Sequence, residues 1–155
     1  MIDRIIDDIS QTRKNILGLM DGYSFEELCY IPAGMNNHLL WNFGHVIITQ
    51  HLLTYGLAGV QNPLAPSLLD RFRKGSIPRE LSYFESDLQT LKELALESLS
   101  RLSLDIDKGV FSVFKTYPTS YGISLHSIED AVLFNAQHEA LHYGYMMAQR
   151  RILSQ

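Results

Sequence analysis

The sequence predicts an all-α protein, a four-helix bundle, and three observations carry that expectation. Apolar residues recur at three- and four-residue intervals in four long segments, the spacing that gathers them on one face of a helix. Turn-forming residues collect between those segments, at Asp21-Gly22, Pro32, Pro63, Pro66 and Tyr117-Pro118. Strand-like alternation is confined to Val110-Phe111-Ser112-Val113-Phe114, and is partial even there. At 155 residues, 46% hydrophobic and 19% charged, the chain is expected to form one domain, 1–155, with a core that needs no covalent staples.

The first helix is predicted over Ile2 to Met20. Ile2, Ile5, Ile6, Ile9, Ile16 and Met20 form its apolar stripe, with Arg13, Lys14 and several acids elsewhere. Asp21-Gly22 ends it, glycine being suited to the left-handed residue after a helix. Ser24-Phe25-Glu26-Glu27 is a capping-box pattern that starts one or two turns before Pro32. A second long helix opens with Asn36 or Asn37 as cap and fades around Gly56 to Gly59.

Ser67 to Phe72 reads as a short connecting helix. Pro78 suits the first turn of a third long helix, along which Leu81, Phe84, Leu88, Leu91, Ala95, Leu99 and Leu102 repeat. Its Glu80, Glu85, Lys92, Glu93, Glu97 and Arg101 read as a solvated face. Residues 104–126 break the pattern. So long an irregular stretch is uncommon in a compact domain unless it serves function, and this one reads as a wall or lid over the helix that follows. Ser127 caps that last helix, which runs to Leu153, and Glu129 and Asp130 complement its dipole.

Composition narrows the function. A net charge of −4 gives no basic footprint for nucleic acid. The first residues carry acids where a signal peptide needs an apolar run, and no apolar run approaches the roughly 18–20 residues that cross a bilayer. A single cysteine, Cys29, excludes an internal disulfide and reads as an ordinary buried thiol. The expectation is a soluble, cytoplasmic protein that acts on a small molecule, with no nucleic-acid or membrane partner. Bundles of this size often pair, so a homodimer is expected.

Histidines carry the chemical signal. His138 and His142 are four apart in the last helix, so both rings leave one face a turn apart, near enough to share a metal ion. His45 lies on the apolar stripe of the second helix with Trp41, Ile48 and Leu52, where a polar ring needs a partner. For His45 alone that partner is ordinarily a carbonyl or carboxylate; for the three together, one metal site is the better account. His51 is expected near the surface or at a contact and His38 at a cap or the surface, while for His126, just before the last helix, a place near the site mouth is the minority reading. Trp41, Phe134 and Tyr145 read as core, with a place in the pocket lining as the alternative for Tyr145, and Asn42, Asn135, Gln137 and Gln149 as candidates to hold the ligands from behind.

Trp41…Gly44-His45 on one helix and His138-Glu139-Ala140-Leu141-His142-Tyr143-Gly144 on the last resemble the DinB-like family over nearly the whole chain, including the loop with Thr119-Ser120-Tyr121-Gly122. The resemblance implies a four-helix bundle with up-up-down-down connection and a divalent metal, often nickel or zinc, on His45, His138 and His142. Related proteins include thiol-dependent S-transferases and a maleylpyruvate isomerase. Where arginine-glycine-glutamine is frequent after the last ligand, this chain has Tyr143-Gly144-Tyr145.

Three protein ligands leave a position open for water or substrate, which fits a catalytic site. Such an ion can activate water for hydrolysis or hold the thiolate of a low-molecular-weight thiol cosubstrate for transfer. Two rival readings stand beside this one. In the first, His138-Glu139-Ala140-Leu141-His142 is the H-E-x-x-H of zinc peptidases, with Glu139 as general base. In the second, the protein is a non-enzymatic helical dimer whose metal or histidines are structural.

Overall fold

In the computed structural model, which describes residues 1–153, helices account for most of the chain. Helix α1 spans Ile2–Met20 and ends where Gly22 takes a φ of 86°. The one-turn α2, Phe25–Leu28, carries the full capping box: Ser24 Oγ accepts from the Glu27 N–H, and the Glu27 carboxylate accepts from the Ser24 N–H. Helix α3 spans Leu39–His51 and continues as a π-helical turn, Leu52–Gly56. After the short α4, Pro66–Phe72, come the long α5, Glu85–Asp107, and α6, Ile128–Leu153. A two-residue antiparallel pair, β1 (Tyr117–Pro118) with β2 (Ser124–Leu125), lies between them.

Helices α5 and α6 each pack against both α1 and α3. That neighbour pattern excludes a simple meander in which every long helix lies beside the next. It also brings α3 against α6, so residues more than ninety positions apart share a surface.

Several boundaries differ from expectation, each for a local reason. The N-cap of α3 is His38, not Asn36 or Asn37: its Nδ1 accepts from the Trp41 N–H at 3.0 Å. Helix α5 starts at Glu85 and not at Pro78, which makes only a 3-10 turn with Arg79 and Glu80. Asp87 sets that start by accepting from the Phe84 N–H at 2.8 Å, and it leaves Leu81 and Phe84 exposed rather than on the stripe.

The larger difference is Arg13. Expected off the stripe, it is fully buried between Ile9 and Ile16 on the inner face of α1. Its guanidinium fork donates to Glu139 on α6 (2.6 Å), to Ala95 O and Ser98 Oγ on α5 (3.0 and 2.8 Å) and to Gln50 Oε1 on α3 (3.0 Å). Glu139 is equally buried and also accepts from Asn135 Nδ2 at 2.7 Å. One charged pair thus ties all four long helices, and the rigid planar fork of arginine is what lets it reach four partners on three other helices at once.

Gly44 sets the distance between α3 and α4. A Cβ there would lie 2.2 Å from Cδ1 of Phe72, whose ring is fully buried and has nowhere to go. Gly44→Ala is therefore expected to destabilise the fold by about 3 kcal/mol, the upper part of the range for overpacking a core. A urea denaturation midpoint unchanged from the parent would contradict this.

Candidate metal centre

Helix α3 presents His45, and α6 presents His138 and His142 from the face that packs on α3. The imidazoles converge: ring centroids are 5.1 Å apart for His45–His138, 4.8 Å for His45–His142 and 4.5 Å for His138–His142. One nitrogen from each ring lies within 4.8 Å of the others, and among the described residues no further Asp, Glu, His or Cys joins the group.

Two of the rings are oriented from behind. His45 Nδ1 is 2.7 Å from the Phe72 carbonyl oxygen, which can only accept, so the proton sits on Nδ1 and Nε2 keeps its lone pair. Trp41 stacks on the same ring at 4.5 Å and 10°, and its own Nε1 donates to Ser76 Oγ at 2.8 Å. His142 Nδ1 lies 2.8 Å from Asn42 Oδ1. The Asn42 amide cannot be flipped, because its Nδ2 donates to the His38 carbonyl (3.0 Å) and to Gln149 Oε1 (3.2 Å). His142 is thereby fixed as the Nδ1–H tautomer. His138 has no such partner, and its Nδ1 is buried without a hydrogen bond.

Electrostatics favours neutral rings. Burial pushes His138 down to about 3, with His142 and His45 adding to the effect, and pushes His142 down to about 4. His45 is lowered as well, by burial and to a smaller extent by Lys74, against the favourable Phe72 carbonyl. Three uncharged imidazoles, each with a nitrogen within 4.8 Å of the others and one of them short of a partner, are a donor set that suits a divalent ion. A three-histidine site of this kind can hold a metal ion.

The cluster lies between two clefts. His45 and His138 line a cavity of about 290 Å³ whose walls are Leu52, Leu53, Leu57 and Phe134. His142 lines a second, more open cleft of about 350 Å³ with Asn36, Asn37, Asn42, Leu141 and Tyr145. Tyr117, Thr119 and Ser120, from the irregular stretch between α5 and α6, line the first cavity, so that stretch does form a wall of it.

A family model for the DinB superfamily matches residues 8–146. The chain belongs to the DinB superfamily. Among curated proteins none matches it.

The remaining sequence candidates of this DinB-superfamily chain divide clearly. Asn42 does hold a histidine from behind, and Gln149 supports Asn42, while Gln137 is exposed and Asn135 serves Glu139 instead. Glu139 stands apart from the histidine cluster. Its carboxylate turns toward α1 and is taken up by Arg13 and Asn135, so the general-base role of an H-E-x-x-H motif has no geometric support. Tyr145 is 37% exposed and lines the cleft with His142, the alternative to a core position. His126 is exposed at the start of α6 and lines neither cleft. His51, expected near the surface, is buried against Tyr55, and His38 is a buried cap rather than a surface residue. Cys29 is half-buried, and burial, then Asp87 and Glu26, push its thiol up to about 11, so it supplies no thiolate. Among the described residues no helix is long and apolar enough to cross a membrane.

His38 and His51 imply a pH dependence of stability. Burial lowers each to about 4 in the folded chain, whereas unfolded histidine titrates near 6.5. Below about pH 6.5 the unfolded chain takes up protons that the folded one refuses, so stability is complete above that value and declines toward pH 4. The expected loss between pH 7.5 and 5 is on the order of 1–2 kcal/mol per histidine. Denaturant titrations at the two values check it; equal stability at both would contradict the burial argument.

Proposed function

We propose that this protein binds a divalent metal, zinc or nickel, through His45, His138 and His142, and uses it as an open catalytic centre on a small molecule. The observation that carries the reading is the convergence of three neutral imidazoles, two of them held in a fixed tautomer, beside a largely apolar cavity. When bound, the metal supplies a Lewis acid with a position left for substrate or a thiol. The chain's own part is to fix the rings through Phe72 and Asn42 and to line the adjoining cavity with the apolar side chains of Leu52, Leu53, Leu57 and Phe134 and with Tyr117 and Ser120; the Thr119 hydroxyl is taken up by the Ile123 backbone. Transfer from a low-molecular-weight thiol and hydrolysis both fit such a centre. For the thiol route the thiol must come from outside, since Cys29 stays protonated.

Glu139 is not assigned a catalytic role. Its two oxygens neutralise Arg13, so we infer that it positions α6 and leaves proton transfer to other groups. The test is calorimetric titration of chelator-treated protein with zinc and with nickel. Uptake of one ion per chain, lost in His142→Ala with helicity retained, is the expected result. Full affinity in His142→Ala would sink the proposal.

A further inference from the structure

The cavity beside the histidines has a charge character that the proposed metal does not account for. Lys74 is the single charged residue among those lining it, and no carboxylate faces it there. Its neighbours in the chain are engaged: Arg71 pairs with Asp87, and Arg73 with Asp70. Lys74 has no ion-pair partner among the described residues. It also has a fixed relation to the cluster. Phe72, two residues earlier, gives its carbonyl to His45, and Gly75, one residue later, takes a φ of 90° that turns the chain.

Lys74 is an exposed residue that also lines the cavity, and low-dielectric walls beside a cation focus its field, so it attracts anions there more strongly than in open water. Hydrocarbon from Leu52, Leu53, Leu57 and Phe134 lines the same cavity. A volume of about 290 Å³ lies at the small end for ligand pockets. We propose that this cavity takes a small organic anion, a carboxylate on an apolar body, with Lys74 as the residue that selects for the charge. The proposal rests on the metal-centre reading for what then happens to the anion, but not for its binding.

The probe is phenylacetate, compared with its neutral isostere phenylacetamide and with acetate. Binding is followed through Trp41, the chain's one tryptophan, which stacks on His45, and checked by ligand-observed NMR. The decisive arm uses chelator-treated protein, so that no ion can draw the carboxylate. There phenylacetate is expected to bind about tenfold more tightly than phenylacetamide and than acetate, the scale of one charge-assisted contact plus one buried ring. Lys74→Met should abolish the acid-over-amide preference, and Lys74→Arg should keep most of it. Equal affinity for acid and amide, or a preference that survives in Lys74→Met, overturns the proposal. Zinc titrations of the same samples separate the two readings. Zinc uptake without acid preference removes the anion pocket and leaves the metal centre. Acid preference without zinc uptake does the reverse.

Discussion

Glu139→Ala is expected to cost about 3–5 kcal/mol, the penalty for leaving one partner of a buried ion pair uncompensated. The carboxylate is fully buried and accepts from Arg13 at 2.6 Å, and the guanidinium has no other anion within reach of its hydrogen bonds. A domain is stable by roughly 5–15 kcal/mol, so the variant should be partly unfolded or melt far below the parent. Glu139→Gln keeps an acceptor for Asn135 and Arg13 but not the charge, and should fall between. Arg13→Met combined with Glu139→Met should recover much of the loss, because no buried charge then remains. Urea denaturation of the four proteins gives the coupling directly. If Glu139→Ala proves as stable as the parent, the pair does not hold the helices together.

The second large effect is stabilisation by metal. Zinc at about a thousandfold its dissociation constant should raise the unfolding free energy by about 4 kcal/mol, since the unfolded chain does not hold three imidazoles together. Alanine at His138 or His142 should remove most of that gain. Chelation, by contrast, should leave the helical circular dichroism signal intact. The core stands on two large apolar clusters, around Phe43, Ile47 and Phe72 and around Tyr55, Leu102 and Val132, together with the Arg13 network. A structural metal would make the opposite prediction: the chain would unfold when the ion is withdrawn. Thermal melts with zinc, with chelator and with each alanine variant distinguish the two.

Reading the sequence worked where local rules dominate. The span of α1, the box at Ser24 and Glu27, and the Ser127 cap at the start of α6 follow from periodicity and capping, which involve residues within one or two turns. The histidine cluster was also legible, because His138 and His142 share a face by helix geometry alone and His45 sat in an apolar stripe. Phe72 and Asn42 differ. Asn42 could be marked only as one polar candidate among several, and nothing near Phe72 in the chain indicates that its carbonyl meets His45, twenty-seven residues earlier.

Arg13 and Glu139 show the limit most clearly. A charged residue at a stripe position ordinarily reads as surface, because burial of one charge is prohibitive. Only its partner, 126 positions away, makes the burial tolerable. The same separation hid the partner of Glu139, whose place beside His138 leaves a base as one rival reading until α1 is seen against α6.

By itself, then, the order of residues determined the helices, the class of fold and which rings lie on which helical face, since each depends on contacts within a few turns. The pairing of α3 with α6, the tautomers of His45 and His142, the lone charge of Lys74 at a cavity edge and the role of Glu139 were decided by tertiary structure. Each of these is set by what a side chain meets across the bundle, and periodicity along one helix carries no information about its neighbour.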